Sequence, residues 1–225
     1  MFECSDDFMQ IIWKGQSCFE ITSQPVKNGQ IKIVIDPYSE EIGLRVSKLE
    51  ADVLLITHGH YDHNNVKAVG GNPFLIQGPG EYEVKDVYVQ GIPSWHDARS
   101  GAERGENIIY TIETEGLKVC HLGDFGENEL SDEQLEKIGE VDILMIPVGG
   151  SFTISAKEAL KVISQIEPKI TLPMHYDLPK LKVKLDGVDK FLKMLGIKSA
   201  QAIAKLSVKK KDLSSEEAKI VLLQP

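Results

Sequence analysis

The chain has 225 residues, of which 42% are hydrophobic and 26% are charged, and its formal net charge is −9. This size and apolar content predict one domain with a substantial core over residues 1–225, and they argue against long disordered segments. The acidic balance disfavours nucleic acid as a partner, because the dense basic run at 209–211 is too short for a basic patch and is better interpreted as a solvated turn.

The acidic segment 1–7 lacks the basic and apolar regions of a signal peptide. No apolar run in the sequence reaches the roughly 18 residues that a membrane helix needs. The three cysteines, Cys4, Cys18 and Cys120, are scattered, and their odd number favours a reducing compartment over a disulfide framework. We therefore expect a cytoplasmic protein that does not contact a membrane.

The first half of the chain has the pattern of a β-meander. The dipeptide Asn28-Gly29 is a strong hairpin signal, and a second turn is expected at Gly15. A short helix or turn is expected over 40–50, and one helical turn at 64–69. The strands predicted in this half are 11–13, 18–22, 31–35, 53–57, 74–76, 82–84, 87–92, 108–112 and 117–121.

The second half alternates helices and strands. Ser131 with Gln134, and Ser155 with Glu158, have the spacing of capping boxes and therefore predict two helix starts. The elements expected here are helices at 131–138, 155–166 and 188–195 and strands at 141–147, 170–174, 202–208 and 219–223. A meander followed by helix–strand units predicts an α/β fold, a four-layer αβ/βα sandwich of two mixed β-sheets with helices on the outer faces.

A dense cluster of metal-ligand side chains follows the buried strand at 53–57. His58, His60, Asp62 and His63 fall within six residues. His58 and His60 can point to the same side of an extended chain, whereas Asp62 and His63 come after a turn and can serve a neighbouring ion. Imidazole and carboxylate groups suit zinc and similar divalent ions. A surface loop that scavenges metal, or an incidental helix cap, fits this spacing less well.

The other histidines also lie at or just beyond predicted strand ends, where α/β sheets gather their ligands. His96 follows the strand at 87–92, and His175 follows the strand at 170–174. Taken alone, each would be interpreted as an ordinary half-buried residue, and the cluster at 58–63 is what makes them candidates. His121 also ends a strand, but a packed or supporting role fits it better.

The run His58-Gly59-His60-Tyr61-Asp62-His63 matches the HxHxDH motif of the metallo-β-lactamase superfamily, which the chain resembles from residue 11 to about 177. His96 stands where the third histidine of the first metal site falls in that family. Leu122-Gly123-Asp124 resembles the motif of the bridging aspartate, and Pro173-Met174-His175-Tyr176 resembles the late histidine motif. Together with Ile35-Asp36-Pro37 and Trp95-His96, these motifs resemble the branch that includes the ascorbate-6-phosphate lactonase and many Zn-dependent hydrolases.

The resemblance implies two divalent metal ions, with zinc first and manganese or iron as alternatives. The implied ligands are His58, His60 and His96 for the first ion, Asp62, His63 and His175 for the second, and Asp124 as a bridge between them. A metal-bridging hydroxide would then be the nucleophile, and Asp62 would orient it or relay its proton. For Asp124 the alternative is a plain Asx-turn residue after Gly123.

The implied function is a metal-dependent hydrolase of a small ester, lactone or phosphoester. A metal-binding or sensing protein of the same fold with little turnover is an alternative from another class. Three-ligand sites argue against it, because purely structural zinc sites are usually closed. A phosphodiesterase acting on nucleotides is a further alternative, which the acidic charge weakens, and a homo-oligomer is left open.

Three further residues are candidates for substrate binding. Arg99 and Arg104 lie in the loop after His96 and could bind an anionic group of a small-molecule substrate, although a solvated loop is an equally good interpretation. Tyr176 could donate a hydrogen bond to an oxyanion or pack against the core. The run Gly149-Gly150-Ser151 could form a phosphate-binding turn, or it could allow a close approach of the backbone to the site.

Overall fold

The computed structural model describes residues 8–25, 29–45, 48–213 and 218–225. The segment 1–7, which includes Cys4, lies outside the described residues, and so does Asn28 of the predicted hairpin turn. The described chain forms two large mixed sheets and three α-helices. No helix among these residues is long and apolar enough to cross a membrane.

The first sheet combines antiparallel strands from the meander with parallel strands. In spatial order, it contains β14 (Leu206–Val208), β1 (Met9–Gly15), β2 (Cys18–Ser23), β3 (Ile31–Ile35), β5 (Val53–Leu55) and β7 (Phe74–Ile76). The pairs as far as β3 are antiparallel, and β3, β5 and β7 are parallel to one another. A small parallel ribbon of β4 (Leu49–Glu50) and β6 (Val69–Gly70) lies apart from this sheet.

The second sheet changes from antiparallel to parallel along its width. In spatial order, it contains β15 (Lys219–Ile220), β13 (Ile170–Met174), β12 (Ile143–Pro147), β11 (Leu117–His121), β10 (Glu106–Thr114), β9 (Val87–Trp95) and β8 (Gly80–Val84). Strands β8 to β11 pair antiparallel, and β11, β12, β13 and β15 pair parallel. Strands β9, β11, β12 and β13 therefore all end at the same edge.

The three helices belong to the second half of the chain. They are α1 (Asp132–Ile138), α2 (Ala156–Ile166) and α3 (Val188–Met194). At α1 the capping box is complete, since Ser131 and Gln134 each accept a hydrogen bond from the other's backbone N–H, at 3.2 and 2.9 Å. Helices α1 and α2 each connect two parallel neighbours of the second sheet, as a βαβ unit requires.

One hydrophobic core joins the inner faces of both sheets. Ile33 and Ile35 of β3 belong to the same buried cluster as Val119 of β11 and Ile143 of β12. Each fully buried aliphatic side chain of this kind contributes about 1.5–3 kcal/mol to stability. The strict alternation of buried and partly buried residues along β1 follows from this packing, because only one face of that strand meets the core.

The outer face of the first sheet is covered by other elements than the predicted helices. Val34 and Leu54 point away from the main core and pack with Ile42 and Leu49 in a second cluster. These covering residues come from a 3-10 turn at Glu40–Ile42 and from β4, so short elements take the place of an α-helix there among the described residues. The helical segment ends after one turn, at Gly43, whose φ is +94°.

Hydrogen bonds tie the two sheets together at the edge where β5 and β9 end. The backbone N–H of Ile108 donates to the carbonyl of Thr57 at 3.0 Å, and the Tyr110 hydroxyl donates to the carbonyl of Ile56 at 3.0 Å. Both acceptors lie just after β5, and both donors lie in β10. The loops that follow β5, β9, β11, β12 and β13 consequently converge on one region.

Candidate metal centre

All seven predicted metal-ligand residues meet at this edge, in two adjacent groups. The first group is His58, His60 and His96, and the second group is Asp62, His63, Asp124 and His175. Within each group the potential ligand atoms lie within 4.8 Å of one another. The two groups are neighbours, because the ring centroids of His58 and His63 are 4.1 Å apart. Sequence positions separated by more than a hundred residues thus form one site.

Asp124 lies between the two groups. Its Oδ2 atom is 3.2 Å from Nε2 of His96 in the first group and 3.2 Å from Nε2 of both His63 and His175 in the second. Burial alone would raise the pKa of Asp124. The positive charges of His175 and His63, and the hydrogen bonds that these two residues donate, hold that pKa well below its usual range. Asp124 is therefore an ionised carboxylate that faces both groups.

Three buried ring nitrogens in the two groups have no hydrogen-bond partner among the described residues. These atoms are Nε2 of His58, Nδ1 of His96 and Nδ1 of His175. Buried polar atoms in folded proteins are nearly always paired, so three exceptions in one place require an explanation. Imidazole nitrogens clustered around an ionised carboxylate are suited to divalent metal ions, and the residues therefore fit the two ions that the family resemblance implies.

Asp36, which the sequence analysis named only within the motif Ile35-Asp36-Pro37, fixes the ring protons of two histidines. Its carboxylate accepts hydrogen bonds from Nδ1 of His63 at 2.9 Å and from the hydroxyl and N–H of Thr57 at 2.6 and 2.8 Å. Because the Thr57 hydroxyl donates to Asp36, it accepts from Nδ1 of His58 at 3.0 Å. Both rings are thus protonated on Nδ1, and their Nε2 atoms face the two groups.

In the metal-free site, the pKa values of two neighbouring histidines shift in opposite directions. Burial, followed by the positive charge of His63, lowers the pKa of His58 to about 2. Burial also opposes protonation of His63, but the carboxylates of Asp124 and Asp36 outweigh it and raise the pKa of His63 well above its usual value. Burial would raise the pKa of Asp62, yet the hydrogen bond and charge of His63 lower it. Without metal, the site therefore holds the positive charge of His63 among the carboxylates of Asp36, Asp62 and Asp124.

The turn between β1 and β2, which the sequence predicted at Gly15 without a role in the site, supports both carboxylates. Gln16 Nε2 donates to Oδ2 of Asp62 at 3.3 Å, and the Ser17 hydroxyl donates to Oδ1 of Asp124 at 3.3 Å. The backbone carbonyl of Gln16 accepts from the N–H of His175 at 3.1 Å. The turn places Gln16 at a φ of +53°, in the left-handed region. One short turn therefore contacts three residues of the second group.

His121 lies outside both groups and supports the loop that carries Asp124. The N–H of Gly123 donates to its Nδ1 at 3.0 Å, so the ring proton is on Nε2, which donates to the carbonyl of Ser17 at 2.9 Å. Burial lowers the pKa of this ring, which agrees with a neutral imidazole. The ring also packs edge-on against Phe19. His121 thus connects the loop of Asp124 to the turn that carries Ser17.

A cavity of about 790 Å³ opens beside the first group. Its lining combines histidines of the site with apolar and polar side chains, including His58, His60, Pro79, Trp95, Arg104, Glu106, Asn107 and Ile108. Asn107 is fixed in this wall, since its amide donates to Ser94 and to the carbonyl of Leu122 and its oxygen accepts from the N–H of Asp124. The cavity and Asp124 therefore share a rigid wall.

The three predicted substrate contacts have different surroundings. Arg104 lines the cavity, whereas Arg99 does not and instead places its guanidinium 3.1 Å from the carboxylate of Glu103, with a side chain 75% exposed. Tyr176 is buried in the hydrophobic core with its ring centroid 4.9 Å from that of Trp13. Burial raises the pKa of the Tyr176 hydroxyl. The substrate contact of Arg99 stays a prediction that its place outside the cavity does not support, and the burial of Tyr176 favours its core-packing alternative.

Gly149, after β12, touches the backbone of His175 and should not tolerate a side chain. A Cβ atom at Gly149 would overlap the carbonyl oxygen of His175, which favours the close-approach interpretation of Gly149-Gly150-Ser151. We expect Gly149→Ala to displace His175 and to lower the free energy of unfolding by about 1–3 kcal/mol, as overpacking does. Urea denaturation measures this, with Gly70→Ala as the control, because a Cβ there meets only ordinary contacts. Equal stability of the two variants would contradict the prediction.

Comparison with known proteins gives consistent matches over most of the chain. The profile of the beta-lactamase superfamily domain matches residues 10–175. A protein from Thermococcus onnurineus, named UPF0173 metal-dependent hydrolase, is 30% identical over 88% of this chain and 96% of its own length. A UPF0173 protein from Pyrococcus abyssi is 33% identical over 75% of this chain and 83% of its own length.

A solved structure extends the likeness to the whole fold. Its name refers to a Zn-dependent hydrolase of the metallo-beta-lactamase superfamily from Thermotoga maritima. The two proteins are 36% identical, the match covers 96% of this chain and 98% of the other, and the TM-score is 0.76. A metallo hydrolase from Ignicoccus hospitalis is similar in fold, with a TM-score of 0.60, 18% identity and coverage of 90% of this chain and 99% of the other.

Proposed function

Because the chain belongs to the beta-lactamase superfamily and is one of its metal-dependent hydrolases, we propose that it is a dinuclear enzyme acting on a small ester, lactone or phosphoester. The observation that carries this proposal is the position of Asp124, whose Oδ2 lies 3.2 Å from histidine nitrogens of both groups. A carboxylate so placed can serve two ions at once.

The two groups divide the ligands between the proposed ions. The first ion would be held by His58, His60 and His96, the second by Asp62, His63 and His175, and both by Asp124. This donor set is rich in imidazole and favours zinc, with manganese or iron as alternatives. When bound, such ions lower the pKa of water towards about 7 and polarise a carbonyl or phosphoryl oxygen. An ion held by the three histidines of the first group and Asp124 could still expand its coordination to take substrate or water.

The chain's own residues then orient the reaction. Asp62 stays ionised, because its pKa is lowered, and its Oδ2 can accept a hydrogen bond from a water molecule and so orient it. Gln16 donates to that same oxygen and thereby fixes the carboxylate. The wall that contains Asn107 keeps the loop of Asp124 in place. In this arrangement Asp62 and Asp124 act at the reacting centre, and Gln16 is a positioning residue.

The cavity supports a small-molecule substrate. Its volume of about 790 Å³ lies inside the range of roughly 300–1,000 Å³ that is usual for small-ligand sites. Its apolar lining, from residues such as Pro79 and Ile108, suits the body of an organic ester or lactone. Polymeric nucleic acid is a poor fit to this cavity and to a net charge of −9.

Replacing His60 by alanine tests the division into two ions. We expect bound metal to fall from two ions per chain to about one, and turnover to fall by more than the 10- to 100-fold that changes around metal ligands typically cause. Elemental analysis of purified protein gives the metal content. The matched control is Tyr61→Ala, which alters the same loop at an exposed side chain outside both groups.

A substrate panel tests the reaction class. Purified protein loaded with zinc would be assayed on 4-nitrophenyl esters, lactones and phosphodiesters, next to His60→Ala. Turnover that is present in the wild type and in Tyr61→Ala, but lost in His60→Ala, supports the proposal. Two bound ions without turnover of any class would favour the alternative of a metal-binding or sensing protein. A single ion per wild-type chain would overturn the dinuclear assignment.

A further inference from the structure

We propose that the cavity contains an anion-binding subsite centred on Arg104, so that the substrate carries a carboxylate or phosphate group distant from the bond that is cleaved. This inference rests on the proposed hydrolase function, because it concerns the substrate of the same cavity. It names a substrate class: an organic ester, lactone or phosphoester with a second, negatively charged end. Four features of the loop 97–105 lead to it.

The first feature is the construction of the loop around a buried carboxylate. Asp97 directly follows His96, and its Oδ1 accepts from the N–H groups of Arg99 and Gly101 at 2.8 and 3.1 Å. Its Oδ2 accepts from the N–H groups of Glu103 and Arg104 at 3.0 and 2.8 Å. Four backbone hydrogen bonds to one side chain make the loop compact and fix the direction in which each residue leaves it.

The second feature is that backbone hydrogen bonds hold Arg104 close to His96 of the first group. The N–H of His96 donates to the carbonyl of Gly105 at 3.0 Å, and the N–H of Arg104 is bound to Asp97. Arg104 is therefore held on both sides by the segment that also carries a predicted metal ligand. Its side chain lines the same cavity as His58 and His60. A substrate in that cavity can reach the first group and Arg104 together.

The third feature is the availability of the guanidinium. Its ion pair within the described residues is a single contact of 3.7 Å to Glu103, and its carbon lies 5.5 Å from the ring centroid of Phe152. Glu106 also lines the cavity but forms no ion pair with Arg104 in the described chain. A guanidinium has five N–H donors in a planar fork that matches carboxylate and phosphate oxygens. The Phe152 ring lies within cation–π distance of the guanidinium and does not neutralise its charge.

The fourth feature is a neighbouring arginine in a different setting. Arg99 belongs to the same loop and is bound to the same Asp97, but its side chain is exposed and paired with Glu103 at 3.1 Å. It does not line the cavity. If a preference for anions depends on Arg104 and not on Arg99, the net charge of the loop cannot explain that preference. Arg99→Ala is a matched control for Arg104→Ala, since both remove one positive charge from one loop.

The test uses pairs of ligands of similar shape that differ in the distal charge and contain no ester bond. Adipate and its monoamide, adipamate, share one carboxylate for the metal centre, and only adipate carries the second. The phosphate class is represented by 5-phosphonopentanoate, with 5-(methylsulfonyl)pentanoate as its partner. Isothermal titration of the zinc-loaded full chain gives the affinity of each ligand for the wild type, Arg104→Ala, Arg104→Lys and Arg99→Ala. Binding is measured without any need for turnover.

We expect the wild type to bind at least one ligand with a charged distal group roughly tenfold or more tightly than the partner whose distal group is uncharged, as charge-assisted hydrogen bonds allow. Arg104→Ala should lose this preference, Arg104→Lys should keep part of it, and Arg99→Ala should keep it in full. The better of the two charged ligands identifies carboxylate or phosphate as the distal group. Equal affinities within both pairs in the wild type, or a preference that survives in Arg104→Ala, would overturn the proposal.

The outcome separates this inference from the function on which it rests. If the substrate panel shows hydrolysis but both ligand pairs bind equally, the hydrolase proposal stands and the anion subsite fails. If the preference depends on Arg104 while no substrate class is hydrolysed, the subsite stands and the hydrolase proposal fails. Loss of the preference in Arg99→Ala as well as in Arg104→Ala would also overturn the subsite, because the effect would then belong to the charge of the whole loop.

Discussion

Replacing Asp124 by alanine is expected to reduce hydrolysis by on the order of a thousandfold, because metal ions supply several kcal/mol of transition-state stabilisation and each 1.36 kcal/mol is tenfold in rate. The reason lies in its position. Its Oδ2 is 3.2 Å from Nε2 of His63, His96 and His175, so that its removal leaves both groups without their shared carboxylate. Elemental analysis should show less than one ion per chain, and the substrate panel measures the rate.

Two further variants make this result interpretable. Asp124→Asn keeps the shape and removes the charge, so we expect it to lose metal almost as fully. Ser17→Ala removes a single 3.3 Å hydrogen bond to Oδ1 and should retain both ions. Circular dichroism of all three variants identifies any loss of fold. A folded Asp124→Ala that holds two ions and works within tenfold of the wild type would remove Asp124 from the centre.

Replacing Asp36 by alanine is expected to lower the free energy of unfolding of the metal-free protein by about 3–5 kcal/mol. Asp36 is fully buried, and its carboxylate accepts from Nδ1 of His63 and from two donors of Thr57. The alanine variant leaves these donors without partners in a place that water does not reach. Urea denaturation in the presence of a chelator measures the loss.

The asparagine variant separates stability from metal binding. In Asp36→Asn, the amide oxygen can still accept from the Thr57 N–H, but the amide NH₂ would face Nδ1 of His63. That ring would then carry its proton on Nε2, the atom that faces Asp124. We expect a smaller loss of stability than in Asp36→Ala and a 10- to 100-fold loss of metal affinity, measured by competition with a chromogenic chelator.

A partly exposed carboxylate provides the control for both Asp36 variants. Asp52 also accepts a backbone hydrogen bond, from the N–H of Lys32 at 2.9 Å, but its side chain is 30% exposed. Asp52→Ala should cost about 1 kcal/mol or less and leave metal affinity unchanged. If Asp36→Asn bound metal as tightly as Asp52→Ala does, the proposed control of the His63 tautomer would be wrong.

The general architecture was predictable because it depends on local patterns. Apolar runs and turn signals located nearly all the strands, and the capping pairs Ser131/Gln134 and Ser155/Glu158 located two helices. The predicted metallo-β-lactamase fold is confirmed by the likeness to the Thermotoga maritima structure. The outer cover of the first sheet was harder to predict, because Gly43 limits the segment before it to one 3-10 turn.

The candidate ligands were predictable for a similar reason. The spacing of His58, His60, Asp62 and His63 is a compact motif, and the partners His96, Asp124 and His175 stand at strand ends that the topology brings to one edge. That these residues bind metal stays a prediction until metal is measured. Their convergence into two groups, however, is a property of the fold.

The supporting residues could not be predicted from local patterns. Gln16 follows the predicted turn at Gly15, and Asp36 lies in the motif Ile35-Asp36-Pro37, but their roles come from hydrogen bonds to residues 46 and 27 positions away in the chain. Neither residue type nor spacing signals such contacts. The difference between Arg99 and Arg104 is equally invisible in the sequence, because it depends on how Asp97 folds the loop around itself.

The pairing of β14 with β1 has a consequence for the order of folding. Met9 pairs with Val208 and Ile11 with Leu206, so β1 gains its second neighbour from a segment that follows all seven candidate ligands in the chain. The candidate ligands can therefore come together while β1 is still an unpaired edge, which is the kind of surface that promotes aggregation. Long-range closure of this type is slow, and we expect the docking of β14 to remove that exposed edge late in folding.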